Sequence, residues 1–194
     1  MMTDIKGKIA IFGGSFNPVH RGHIHVAESA AHTLGYNKVI FIPSCVSAHK
    51  KTDYYTSPEH RLKMLHLAIE GNDTLLLDDC EIVRGGTSFT IDTIEGLSDR
   101  YRYTSKPGLI IGADLLRGFP SWRRVDDLVE QVDLIVARRT SSMGLHFPYP
   151  HLNVKNDLVD AASSEIRRRV REKIDICELV PKLVADYISR NFLY

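Results

Sequence analysis

Apolar residues along this chain fall into short, dense runs separated by stretches with a helical period. Ile9-Ala10-Ile11-Phe12, Lys38-Val39-Ile40-Phe41-Ile42-Pro43, Leu75-Leu76-Leu77, Leu109-Ile110-Ile111 and Leu134-Ile135-Val136-Ala137 are continuous rather than alternating. Runs of that kind predict strands covered on both faces. Between them the period changes. Ile24, Ala27, Ala30, Ala31 and Leu34 share one face of a helix that begins at about His20 and stops at Gly35. Ser57, Pro58 and Glu59 read as the cap, first position and first turn of a helix with Leu62, Leu65, Ala68 and Ile69 inward. Further helices are predicted over residues 89–97 and 125–132, and the chain from 163 to 191 reads as helical. Residues 44–56 and 138–150 read as loops, and Val154 as part of a last short strand.

Strands alternating with helices predict an α/β fold: a Rossmann-like, doubly wound parallel sheet. The expected organisation is a single domain over residues 1–194, with residues 155–194 as a small C-terminal helical subdomain. Ligands in such sheets bind at the carboxyl ends of the strands.

Composition narrows the partners. With 194 residues the chain is long enough for a well-buried core. The formal net charge of +1 gives no reason to expect nucleic acid or a membrane surface, so any anion site must be local. The three cysteines, Cys45, Cys80 and Cys177, are scattered and odd in number, which fits core or bystander thiols in a reducing compartment. The first residues lack the apolar run of a signal peptide, and no run reaches transmembrane length, so a cytoplasmic soluble protein is expected. Assembly into a homo-oligomer is left open.

The densest chemistry lies at Gly13-Gly14-Ser15-Phe16-Asn17-Pro18-Val19-His20-Arg21-Gly22-His23, between the first strand and the first helix. Two glycines are expected to take positive φ and let backbone approach a ligand. A helix start offers N–H groups and a positive dipole end. His20 and His23, three residues apart, add two donors on one helical face. A His-x-x-His pair also suits zinc, but a zinc site needs three or four ligands and none follows at a suitable spacing, so no protein-bound metal is expected.

A second phosphate site is suggested where Ser163-Ser164-Glu165-Ile166-Arg167 opens a helix, although Arg168, Arg169 and Arg171 also fit a solvated basic face. Gly112-Ala113-Asp114 ends a strand with a carboxylate suited to ribose hydroxyls or to capping a helix. Ser88-Phe89-Thr90, behind Gly85-Gly86, offers N–H and hydroxyl donors. Trp122, the one tryptophan, fits the core or a stacking platform. His49-Lys50-Lys51 fits a phosphate contact or a solvated charge run.

The turn resembles the G-x-F-x-P-x-H-x-G-H signature of the nucleotidyltransferase superfamily. Ser163, Ser164, Ile166 and Arg167 resemble its downstream I-S-S-T-x-I-R element, with departures around the serines. Nearly the whole chain resembles the bacterial nicotinate-nucleotide adenylyltransferases: I-P-x-x-x-x-x-H-K at residues 42–50, S-P-E-H-R-L-x-M-L at 57–65, S-[FY]-T-x-D-T at 88–93, I-I-G-A-D-x-L-x-x-F-P-x-W at 110–122 and L-V-P-x-x-V-x-x-Y-I at 179–188. The resemblance implies transfer of the adenylyl group of ATP to nicotinate mononucleotide, with Mg²⁺ accompanying ATP. It gives His20, His23 and Arg167 catalytic roles. It places Gly13, Gly14, Ser15, Phe16, His20, Gly22, His23, Gly112, Asp114, Ser163, Ser164, Ile166 and Arg167 around ATP. Ser15, Phe16, His49, Lys50, Ser88, Thr90 and Trp122 fall around the mononucleotide, with Trp122 over the nicotinate ring. A nicotinamide-mononucleotide enzyme and a non-catalytic nucleotide sensor are the alternatives. An RNA-acylating enzyme is disfavoured by the short, non-basic chain and the lack of a Lys-Met-Ser-Lys-Ser run.

Overall fold

The computed structural model describes residues 3–48, 56–138, 147–155 and 161–194. The elements, in chain order, are β1 (Thr3–Asp4), β2 (Ile9–Gly14), α1 (Arg21–Leu34), β3 (Lys38–Pro43), β4 (Val46–Ser47), α2 (Pro58–Ile69), β5 (Leu75–Leu77), α3 (Cys80–Arg84) and β6 (Thr87–Ser88). They continue as α4 (Thr90–Glu95), α5 (Leu97–Arg100), β7 (Tyr101–Arg102), β8 (Gly108–Gly112), α6 (Val125–Gln131), β9 (Asp133–Arg138), β10 (Leu152–Lys155), α7 (Ser163–Arg171) and α8 (Lys182–Arg190).

Six strands form one sheet in the order β10-β9-β8-β2-β3-β5, and every pairing in it is parallel. Counted along the chain this is the doubly wound order 3-2-1-4-5-6, whose reversal lies between β2 and β8. The continuous apolar runs have a direct cause. Side chains alternate across a strand, so Ala10 and Phe12 of β2 enter one core while Ile9 and Ile11 enter another. The first core holds Val26, Ala27 and Ala30 of α1, Met64 and Leu65 of α2, and Ile166, Val184 and Ile188 of α7 and α8. The second holds Ile91 and Ile94 of α4, Leu97 of α5 and Leu128 of α6, together with Phe119 and Trp122. The C-terminal helices therefore bury their apolar face in the same core as α1 and α2.

Several local expectations change. The stretch 163–191 is two helices. Lys173 adopts a positive φ of 55° after α7, and the chain resumes helix only behind Pro181. The loop after β3 contains β4, which pairs with β6 through Val46–Thr87 and Ser47–Ser88. Ser57 occupies the cap position of α2 but makes no side-chain cap, so Pro58 in the first turn is the operative start signal. The buried positions of α2 are Arg61, Met64, Leu65 and Ile69, so an arginine rather than Leu62 takes the innermost place on that stripe. Gly35 does end α1 in the left-handed region, at φ 72°, with its N–H on Ala31 O at 3.1 Å.

All three cysteines are free thiols. Burial, reinforced by Asp78 and Glu81, pushes the Cys80 thiol up to about 12, which keeps it inert. Among the described residues, no helix is long and apolar enough to cross a membrane.

Candidate active site

The signature turn leaves the end of β2 at the reversal of strand order. Gly13 and Gly14 still pair with Ile42 and Pro43 as strand residues, and neither takes a positive φ, contrary to the expectation from sequence. Their smallness serves another purpose. A Cβ on Gly13 would meet nothing within 4 Å, so the strand end is open on that side, whereas a Cβ on Gly14 would sit 3.0 Å from the Phe16 ring. Phe16 itself carries the positive φ, 46°, an uncommon state for a bulky residue. Its ring, 2% exposed, is held edge-on against Phe12, Phe41 and His23 at 5.6, 5.4 and 5.0 Å between centroids.

His20 caps α1 in an extended conformation and is 5% exposed. Its backbone N–H donates to His23 Nδ1 at 3.2 Å, while the His23 N–H donates to the His20 carbonyl at 2.9 Å. The His23 ring thus closes back on the N-cap amide, the N3 half of a capping box built with histidine. Nδ1 of His23 is thereby an acceptor, which places the ring proton on Nε2 and makes that nitrogen a donor. The two rings stack at 3.6 Å between centroids and 23° between planes. Two imidazoles this close repel when both are charged, so an anion is their natural complement. The helix start is less open than expected: the Arg21 N–H donates to Leu179 O at 2.9 Å. Among the described residues, the Gly22 N–H is the first-turn amide that has no protein acceptor.

The C-terminal element meets this turn directly. Ser163 Oγ donates to Pro18 O at 2.9 Å, and Arg167 Nη1 donates to Asn17 O at 2.6 Å. Tyr194 Oη donates to the Asn17 side-chain oxygen at 2.9 Å. Ile166 is fully buried beneath them and Ser164 faces solvent. The neighbouring arginines are otherwise engaged. Arg168 pairs with Glu165 and Glu172, and Arg169 with Glu165. Hydrogen bonds from Arg168 and Arg169 pull the Glu165 carboxyl down to about 2. Arg167 has no carboxylate partner among the described residues, so its charge is left for the turn. Glu165 clamps the two outer arginines together.

Gly112 and Asp114, predicted around ATP, and Trp122, predicted around the mononucleotide, lie at or after the end of β8, while Ser88 and Thr90 lie at the end of β6 and the start of α4. Gly112 closes β8, and a Cβ there would fall 2.4 Å from Asp114 Oδ1, so the exposed carboxylate lies in the space that a larger residue would take. Ser88 is buried, and its Oγ accepts the Cys45 N–H at 3.0 Å, which joins the 88–90 turn to the loop after β3. Thr90 is half-buried at the first position of α4. Trp122 is 8% exposed and packs on Phe119 at 4.8 Å, so most of its ring belongs to the second core. Beside it, Arg123 lies over the Phe89 ring at 4.7 Å, which ties the 119–123 loop to the 88–90 turn. His49 and Lys50 lie outside the described residues. Among those described, no three His, Cys, Asp or Glu side chains are grouped to hold a metal ion.

Arg61 and Glu81 are among the buried charges that escaped the sequence reading. Arg61 is 1% exposed and donates from Nη1 to Ser15 O at 2.8 Å, from Nη2 to Cys45 O at 3.1 Å and from Nε to Thr56 O at 3.1 Å. It spaces the signature turn from the loop after β3. The available signal was the Arg61-Met64-Leu65 spacing, an arginine on an apolar stripe. Glu81 is buried and accepts from Thr93 Oγ1 at 2.6 Å, while Arg84 donates to the same hydroxyl at 2.9 Å. Burial raises its carboxyl above the ordinary range, and hydrogen bonds from Thr93 and Ser88 offset this only in part.

Comparison with known proteins supplies a relationship. Residues 11–169 match the family described as cytidylyltransferase-like. The chain is 41% identical over 187 residues to a Borreliella burgdorferi protein named "Probable nicotinate-nucleotide adenylyltransferase", covering 96% of each. It is 35% identical over 189 residues to the nicotinate-nucleotide adenylyltransferase of Bacillus subtilis, covering 96% of this chain and 98% of that one. Among solved structures it is similar to the nicotinic acid mononucleotide adenylyltransferase of Plasmodium falciparum complexed with NaAD. The TM-score there is 0.75 and the identity 21%, with 97% of each chain covered, a likeness of fold.

Proposed function

The chain belongs to the cytidylyltransferase-like family and, within it, to the nicotinate-nucleotide adenylyltransferases, and from that premise we propose how its residues divide the work. The reaction is transfer of the adenylyl group of ATP to nicotinate mononucleotide. A phosphate oxygen of the mononucleotide attacks the α-phosphorus of ATP in line. The bond to the β-phosphate oxygen breaks, pyrophosphate leaves, and nicotinate adenine dinucleotide forms. The attacking phosphate is already ionised at neutral pH, since its second pKa is about 6, so no general base is needed. Rate must come from positioning and from neutralising charge.

The observation that carries this reading is the convergence on one turn of two stacked histidines and an arginine without a carboxylate partner among the described residues. In it His20 and His23 donate to the triphosphate, and Arg167 grips the oxygens that become pyrophosphate. The Gly22 N–H and the open edge of Gly13 let phosphate approach the backbone. Asp114 serves the ribose hydroxyls. Ser88, Thr90 and the outer edge of Trp122 flank the nicotinate end, with Ser15 and Phe16 shaping the floor between the two nucleotides. A divalent metal, Mg²⁺ in this reading, enters with ATP, held by triphosphate oxygens and water, the usual habit of that ion.

Positional labelling tests the bond broken. With ATP labelled at the α-phosphorus, the label appears in the dinucleotide; with ATP labelled at the γ-phosphorus, it appears in pyrophosphate. Release of γ-label as inorganic phosphate would assign the chain to a different phosphoryl chemistry.

A further inference from the structure

The phosphate-facing turn is fixed from the far end of the chain. Phe16 holds a left-handed backbone at φ 46°, and Asn17 and Pro18 follow it into a buried stretch. A strained bulky residue persists only where its surroundings over-determine it. Part of those surroundings is the packing of Phe12, Phe41 and His23 and the Arg61 bond to Ser15 O, and the part that holds Asn17 and Pro18 comes from residues 163–194. Ser163 donates to Pro18 O, Arg167 to Asn17 O and Tyr194 to Asn17 Oδ1. Asn17 is 2% exposed, so its side-chain oxygen depends on a protein donor in place of solvent. The Tyr194 hydroxyl supplies such a donor across 177 residues of sequence, and the Tyr194 ring rests on the first core. The ring positions the hydroxyl; the hydroxyl orients Asn17; Asn17 sets the carbonyl that Arg167 holds.

We infer that Tyr194 is a positioning residue for ATP, acting through Asn17 on the register of the turn and on Arg167. The inference rests on the proposed reaction. A role confined to packing makes a different demand, because phenylalanine keeps the ring and loses only the hydroxyl. Loss of one neutral hydrogen bond in a positioning chain predicts a fall in kcat/KM for ATP of about 3–10-fold in Tyr194→Phe. The thermal midpoint should stay close to wild type.

The test is a double-mutant cycle on the full chain, with steady-state kinetics for ATP and thermal melts of wild type, Tyr194→Phe, Asn17→Ala and the double variant. Coupling through Asn17 makes the tyrosine change nearly silent once Asn17 has lost its acceptor. Asn17→Asp keeps an acceptor, so Tyr194→Phe should still cost activity there. Unchanged kcat/KM in Tyr194→Phe overturns the inference, as does a loss that persists undiminished in the Asn17→Ala background. If Asn17→Ala fails to fold, Tyr194→Phe and the Asn17→Asp pair decide alone. Wild-type turnover separates the two claims: its absence strikes the proposed reaction. Tyr194 is then judged by the affinity of wild type and Tyr194→Phe for α,β-methylene-ATP, where equal affinity overturns the inference and weaker binding by the variant supports it.

Discussion

His20 and Arg167 are asked for different work, and their substitutions should fail differently. His20 stands at a helix start, stacked on His23 and buried, so its ring is preformed before any ligand arrives. Removing one preorganised donor to developing charge costs roughly 10²–10³ in rate. His20→Ala should therefore lose kcat by that order while remaining folded; a folded variant with near-normal kcat contradicts the assignment. Arg167 is asked for directed contacts. Lysine keeps its charge but not the planar fork, so Arg167→Lys should lose roughly tenfold or more in kcat/KM for ATP. Arg168→Lys and Arg169→Lys should lose much less, because those guanidinium groups are committed to Glu165 and Glu172. Equal small losses in all three would mean a basic helix face and no grip. The histidines, the glycines and Arg167 were readable because their spacing along the chain is itself the signal. The partners of Arg61 and Tyr194 were not: the apolar stripe reports that Arg61 is buried but not that it reaches Ser15, 46 residues away, and nothing local reports the Tyr194 bond across 177 residues.

At the scale of elements, the six sheet strands and most of the helices were readable, because burial on two faces leaves unbroken apolar runs and burial on one leaves a 3.6-residue period. The two-residue pairs β1–β7 and β4–β6 were not, since two residues carry no period. The break between α7 and α8 was not placed in the sequence reading, although Pro181 marks it. One element offers a pH test. Glu81 in α3 supports the 88–93 turn, and burial raises its folded pKa above the ordinary 4.5. Its favourable state is the protonated one. That contribution is complete below 4.5 and is lost as pH rises through the folded value, since the native state then holds the extra proton. Wild type should therefore lose stability relative to Glu81→Gln as pH rises from about 4.5. Melts of the pair across that interval check it, and a constant difference between them would contradict the assignment.

Over the whole molecule, the doubly wound order fixes where chemistry can happen. The strand order reverses between β2 and β8, so the switch point lies at Gly14 and Gly112, and the described candidate residues come from these strand ends, from the loops after them and from β6, α1, α4 and α7. The C-terminal helices, read from sequence as a subdomain, share the first core and hold the turn from behind. Acid-versus-amide choice is then a matter of charge. A carboxylate accepts charge-assisted hydrogen bonds from the loop donors, and a carboxamide brings its own donors and no charge. The most direct measurement of the central claim is a coupled assay for pyrophosphate release with ATP and each mononucleotide in turn. The account predicts turnover only when both nucleotides are present, with kcat/KM for nicotinate mononucleotide at least tenfold above that for the nicotinamide form; equal values for the two, or no turnover with either, would contradict it.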